Sequence, residues 1–356
     1  MIYTHSLSAC TETYTYRIKN MEIRRVQMTG GSSFVITLPK AWIESSHIKK
    51  NDPLGVLVQP DGTLLVTRNV DGEQIQRIKE ISVDNNTEPD FFLRLLIGTY
   101  IAGYSVIRIT TKDRIPGNIR IKLREFSSMV IGPECVEETE KSILLKDLLN
   151  PLELPFENSL KRMFVIVRGM QHDAIESLLK DDKALADDVI DRDNDVDRLF
   201  WLIARQTNMI MQNIHLSRKM NTPIVRMLPH YQVGRIMERV GDHGVRIAHN
   251  ARKLQSADIG KDLGAHILSA SDAAISVFEK SVESFFTHDL KKANRMIESI
   301  HQLEENYARI NEEILVLPTA IAVPIRNITD SIRRTGEYSA DIAENVINYE
   351  MMIEET

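Results

Sequence analysis

Asp193 and Asp197 stand four residues apart, and so do Glu238 and Asp242. On an α-helix that spacing puts both members of a pair on one face. Like charges so placed repel by about 0.2–0.5 kcal/mol even in water. Both pairs lie inside long apolar-periodic segments, away from any helix N-terminus whose dipole would offset the repulsion. If two antiparallel helices bring the pairs together, four carboxylates converge, and a cation relieves them. Oxygen donors suit hard ions such as Mg, Ca or Mn, and iron in a carboxylate cluster. His249, seven residues beyond Asp242, shares that face and adds a candidate nitrogen ligand. The plain alternative is a solvated acidic face, which an isolated pair usually is.

Repetition strengthens the metal reading. Glu238-Arg239-Val240-Gly241-Asp242 overlays Arg333-Arg334-Thr335-Gly336-Glu337 at a spacing of 95 residues. Asp193 to Asp197 overlays Glu298 to Gln302 at a spacing of 105. The C-terminal half thus reads as one three-helix unit used twice, with loops that differ by about ten residues. The second copy is the weaker site. Gln302 stands for Asp197 and Arg333 for Glu238, which leaves Glu298 and Glu337, with Asp341 four residues on in partial compensation. Arg333 is placed to act there as an internal cation.

Catalysis finds little support. A di-metal carboxylate enzyme needs two Glu-x-x-His motifs and two further Glu, whereas the helical half holds one, Glu298 to His301. Gly30-Gly31 lacks the Lys-Ser/Thr of a phosphate-cradling loop. No nucleophile stands with a base, and His172 and His266 stand singly at helical spacing, as packed or exposed histidines do.

The elements that must position these residues follow from pattern. A chain of 356 residues holds two or three domains, and 43% hydrophobic with 26% charged residues is ordinary for a globular protein. A net charge of −6 argues against a generally basic, nucleic-acid-coating surface. Cys10 and Cys135 form neither a disulfide framework nor a metal-ligand spacing, so a reducing cytoplasm is expected. The apolar run Leu95 to Ile107 is too short to span a bilayer.

Residues 1–20 are polar and patternless, an expected disordered extension. Residues 21–70 read as short strands around Gly30-Gly31 and Pro60-Asp61-Gly62, with a helix opening at Lys40 behind Pro39. Fifty residues bury too small a core alone, so two copies are expected to share one dimeric barrel. Residues 71–150 form a small α/β spacer: helix Asp90 to Tyr104, strand Ser105 to Thr110, helix Asn118 to Ile131, and one extended stretch from Glu134 to Leu145. From about residue 155 the period switches to 3.6. Six long helices then predict two tandem antiparallel three-helix bundles, 151–257 and 258–356, in a mainly α chain.

These residues resemble known families. Glu238-Arg239-Val240-Gly241-Asp242-His243 and Arg334-Thr335-Gly336-Glu337-Tyr338 look like the signature third helix of PhoU-type phosphate-uptake regulators, and Asp193 to Asp197 like that family's other metal motif. Met28-Thr29-Gly30-Gly31-Ser32-Ser33-Phe34-Val35-Ile36-Thr37-Leu38-Pro39-Lys40 resembles the AbrB-type swapped-hairpin DNA-binding domain. The combination is similar to archaeal phosphate-uptake regulators. The resemblance implies a non-enzymatic cytoplasmic regulator whose acidic motifs bind metal (iron, zinc, manganese or magnesium). It implies action on the phosphate ABC transporter or its signalling partner, a homodimer formed through the hairpin, and DNA contact through Arg24, Arg25 and Lys40. Residues 21–70 carry six Lys/Arg against four Asp/Glu, a modest positive field. The alternatives are a transcription factor whose helical half senses metal or phosphate state, and a di-metal carboxylate enzyme.

Overall fold

The computed structural model describes residues 22–59, 62–68, 70, 76–150, 154–220 and 222–353, without the side chains of 214, 302 and 353. Two compact units are present, Met1–Glu73 and Gln74–Thr356. The expected N-terminal extension, 1–20, lies outside the described residues.

In the first unit β1 (Gln27–Thr29) pairs antiparallel with β2 (Ser33–Val35). Gly30 and Gly31 make the turn with φ of +64° and +86°, which other residues rarely adopt. Helix α1 (Lys40–Ser45) follows Pro39, and β3 (Gly55–Val58) pairs antiparallel with β4 (Leu64–Thr67). Arg68 Nη1 donates to Ser46 O at 2.7 Å and ties the end of β4 to α1. The expected closed barrel is not formed by one chain: the described strands make two separate two-stranded sheets. None of the unit's described residues is buried, and Phe34 and Val58 stay 75% and 71% exposed. Isolated two-stranded hairpins are marginal in water for this reason.

The second unit begins with an α/β layer pair. It runs β5 (Ile78–Ser82), α2 (Pro89–Ile101), β6 (Val106–Thr110), α3 (Gly117–Met129), β7 (Pro133–Glu138) and β8 (Ser142–Asp147). The sheet order is β5-β6-β8-β7, with β5 parallel to β6 and the other pairings antiparallel. Alternate residues Ile107, Ile109, Ile143 and Leu145 are buried in one core with Phe92, Leu96, Ile119 and Phe126 of the helices. Strand β5 lies outside the expected elements, because Ile-Lys-Glu-Ile-Ser is short and charged and only Ile81 of it is buried. The single extended stretch from Glu134 to Leu145 is instead a hairpin. It turns where Thr139 N donates to Ser142 O and Ser142 N to Thr139 Oγ1.

Among the described residues seven α-helices follow: α4 (Phe156–Leu179), α5 (Lys183–Gln212), α6 (Ile214–Lys219), α7 (Met227–Lys253), α8 (Lys261–Thr287), α9 (Leu290–Glu313) and α10 (Thr319–Ile353). They build two helical bundles, α4-α5-α7 and α8-α9-α10, with α7 against α10 and α4 against α8 where the repeats meet. Equivalent helices of the two repeats start alike. Asp182 caps α5 by accepting from Leu185 N, and Asp289 caps α9 by accepting from Lys292 N. The longer connection of the first repeat contains α6, which has no counterpart between α9 and α10.

One continuous apolar core runs through both bundles, from Met163 and Val167 to Ile328 and Ile342. Each such side chain contributes about 1.5–3 kcal/mol of burial, so the repeats are held as one body. The α/β layers are also fixed to this body. Trp201 of α5 packs against both cores. Arg205, 2% exposed, reaches from α5 to Asp147 and to the carbonyls of Tyr100 and Tyr104. The region expected to be a spacer is therefore built onto α5.

Candidate metal centre

Two helices carry the acidic pairs, and Gly241 lies where they pack. A Cβ placed on Gly241 of α7 would lie 3.4 Å from Val196 and 3.8 Å from Asp193 Oδ1, both on α5 and both at ordinary contact distance. Only a side chain longer than that of Ala would press on the facing helix here. Asp193, Asp197 and Glu238 are half-buried, and Asp242 stands at the exposed rim.

The four carboxylates act on one another. Burial, then Asp197 and Asp242, pushes the Asp193 carboxyl up to about 6. Burial and Asp242 raise Asp197 to about 6. Burial, Asp242 and the two α5 carboxylates raise Glu238 to about 7, with Arg235 opposing. Asp242 is raised by desolvation against the pull of Arg246, Arg235 and Arg239. Asp193 Oδ1 and Glu238 Oε2 are fully buried with no hydrogen-bond donor. The other Glu238 oxygen accepts from Arg235 Nη1 at 3.2 Å. Orphaned buried oxygens of an ionised group cost on the order of 1–3 kcal/mol or more per group unless a proton or cation meets them. This donor set suits a hard cation or an iron carboxylate cluster. Cation binding would supply the positive charge that these oxygens lack.

Among the described residues, neither exposed His249, the candidate nitrogen ligand, nor any three of Asp193, Asp197, Glu238 and Asp242 bring ligand atoms within 4.8 Å of one another. Such a cluster does occur on α4. His172, Asp173 and Glu176 bring one ligand-type atom each within 4.8 Å of one another, so His172 does not stand alone as its spacing implied. Cations already serve that group, since Arg192 holds Asp173 at 2.5 Å and Lys180 pairs with Glu176. His266, also read as standing singly, pairs with Glu313 at 2.7 Å.

The second repeat differs in kind. Glu298 on α9 is exposed and accepts from Asn294 Nδ2 at 2.9 Å. Both Glu337 oxygens are taken, one by Arg333 and the other by Arg334 Nη1 at 2.9 Å. Arg333 Nη2 also meets Asp330 Oδ1 at 2.7 Å. Asp341 lies exposed further along α10, where desolvation and the nearby Glu344 and Glu337 raise its carboxyl. The side chain of Gln302 lies outside the described residues.

Sequence reasoning missed the basic partners Arg235, Arg239 and Arg246, and the acid Asp330. Arg235 was findable, three residues before Glu238 and so on its face. In the first unit, Arg24 pairs with Glu22 and Lys40 with Glu44 at 3.6 Å, while Arg25 is exposed. Cys135 is a free, exposed thiol, and Cys10 lies outside the described residues.

Family models match both the helical half and the first unit. The family model "PhoU domain" matches residues 160–251 and again 267–346. The model "Antidote-toxin recognition MazE, bacterial antitoxin" matches residues 27–74. The "Phosphate-specific transport system accessory protein PhoU homolog" of Clostridium acetobutylicum is 22% identical over 53% of this chain and 88% of its own. The phosphate transport system regulatory protein PhoU from Streptococcus pneumoniae superposes with a TM-score of 0.48 at 19% identity. It covers 56% of this chain and 96% of that one. PhoU from Pseudomonas aeruginosa gives 0.48 at 17%, covering 57% and 99%. Among the described residues no helix is long and apolar enough to cross a membrane. The helical half thus carries two PhoU domains in tandem, behind a MazE- or AbrB-like segment.

Proposed function

We propose that this protein is a non-catalytic, metal-binding regulator of phosphate uptake that works in the cytoplasm. The observation that carries the reading is that Asp193 and Asp197 of α5 face Glu238 and Asp242 of α7 closely enough to raise one another's carboxyls, with two buried oxygens lacking any donor, inside a PhoU domain. A cation held there fixes α5 against α7 and sets the surface that the phosphate ABC transporter, or its signalling partner, reads. The regulated step then follows metal occupancy, and no bond is made or broken by this chain. A relative described as an accessory protein of phosphate-specific transport supports that assignment.

Metal analysis of the dialysed protein tests the reading. Wild type retains iron, zinc, manganese or magnesium in a fixed ratio to chain, and Asp197→Asn with Asp242→Asn loses it. Equal metal in the two proteins would refute the centre. Phosphate uptake in cells lacking the gene should be restored to control by wild type and not by this variant.

A second reading concerns the first unit. Its match to an antitoxin family and the exposed Arg25 support DNA binding by a homodimer, with the helical half acting as sensor. The exposed apolar strands support the dimer.

A further inference from the structure

Equivalent positions of the two PhoU domains carry reversed charges. Arg235 and Glu238 of α7 form an ion pair at 3.2 Å, three residues apart. The positions 95 residues on are Asp330 and Arg333 of α10, paired at 2.7 Å with the signs exchanged. Glu238 has one oxygen on Arg235 and one buried with no donor. Its counterpart Arg333 instead reaches Glu337, the counterpart of Asp242. Glu337 is filled on its second oxygen by Arg334. Among the described atoms of the second repeat no oxygen of Asp330, Glu337, Asp341 or Glu298 is buried without a partner, whereas the first repeat has two such oxygens.

We propose that the second PhoU domain carries a built-in guanidinium where the first takes a metal ion. In this inference Arg333 is a permanent counter-ion that excludes a cation from the Asp330–Glu337 face of α10. It deepens the proposed function, on which it rests, by making the regulator asymmetric: one repeat answers to metal and the other is locked. The chemistry is consistent with the residues present. A guanidinium meets two carboxylates with directional donors and cannot be deprotonated near neutral pH, so it does not titrate away or exchange. A bound cation would have to displace it, and the free guanidinium would then stand beside the metal.

The test separates the two claims by using a background in which the first repeat is disabled, Asp197→Asn with Asp242→Asn. Manganese binding is measured on the full chain by equilibrium dialysis and by paramagnetic broadening of water relaxation. In that background Arg333 is expected to leave no retained manganese. Arg333→Glu, with Gln302→Asp to restore the first repeat's pattern, is expected to gain it. Arg333→Gln reports the same exclusion without adding a ligand: its thermal midpoint should rise on adding manganese, while the parent's midpoint should not move. Manganese retained by the disabled background overturns the inference, because the second repeat then binds metal with Arg333 in place. No gain in Arg333→Glu/Gln302→Asp, together with no manganese-dependent shift in Arg333→Gln, also overturns it. Failure of the proposed centre looks different: wild type retains no metal, yet the Arg333 variants gain it.

Discussion

Arg205 Nη2 of α5 donates to Asp147 Oδ2 of β8 at 2.6 Å, with the two side chains 2% and 8% exposed. Two further guanidinium donors end on the carbonyls of Tyr100 and Tyr104, and Leu149 N donates to the other Asp147 oxygen at 3.1 Å. Breaking one side of a buried, hydrogen-bonded ion pair leaves a charge without a counter-charge, which costs about 3–5 kcal/mol. Asp147→Asn and Arg205→Met singly are expected to lose that much in urea unfolding. The double variant should recover part of it, since two apolar or neutral groups need no partner. Additive losses would mean the pair carries no coupling.

Gly132 tests the same junction from the backbone side. Its φ of +108° disfavours any side chain, and a Cβ there would meet Asp147 Oδ1 inside contact distance and Leu149 Cβ at 3.0 Å. Gly132→Ala is expected to destabilise by about 1–3 kcal/mol through strain and displacement of Asp147. Gly241→Ala, whose Cβ would meet Val196 at an ordinary 3.4 Å, is expected to cost far less. It even gains from the better helix propensity of Ala, by about 1 kcal/mol. Equal melting shifts for the two variants would contradict this.

Metal-free protein should grow less stable as pH rises from about 4 to about 7. Asp193 and Asp197 sit near 6 and Glu238 near 7 in the folded chain, against about 4 for unfolded carboxyls. In that window the folded state holds more protons, so deprotonation works against folding and the loss is complete above the folded values. Half-buried His230 and buried His243, both lowered to about 4, act oppositely between about 4 and 6.5. The comparison is therefore with Asp193→Asn/Glu238→Gln, whose stability should fall less steeply with pH under chelator. Saturating metal should remove the difference, because the ion competes with those protons.

The first unit should make the chain a dimer. Phe34→Asp and Val58→Asp place charge on strands that a single chain leaves exposed. Sedimentation should show dimer for wild type and monomer for the double variant, with the helical signal of circular dichroism retained. A monomeric wild type would remove the shared barrel.

DNA binding, if it follows, should be steep in salt. Arg24, Arg25 and Lys40, doubled by a dimer, give about six phosphate contacts, so affinity should fall by orders of magnitude between about 50 and 200 mM salt. Arg24 and Lys40 already pair with Glu22 and Glu44, so Arg25→Ala should weaken binding most. A mobility shift unchanged by Arg24→Ala/Arg25→Ala would end the DNA reading.

The helical half was legible because its signals are local. Apolar residues every three or four positions specify each helix, and a copied Arg-x-Gly-Asp/Glu pattern exposes the duplication without any fold. Spacing alone also placed Asp193 with Asp197 and Glu238 with Asp242, since four residues make one turn. Strand β5 was not legible, because pairing with β6 and not its own charged sequence makes it a strand. Likewise no pattern in the chain joins Arg205 to Asp147, which are 58 residues apart in sequence. Whether an acidic pair is a solvated face or a charge without a partner depends on what the facing helix brings. Around Glu238 it brings Asp193 and Asp197 of α5. Around Glu337 the counter-charge comes from Arg333 on its own helix. Sequence fixes which groups share a face, and only the packed fold decides which of them desolvate together.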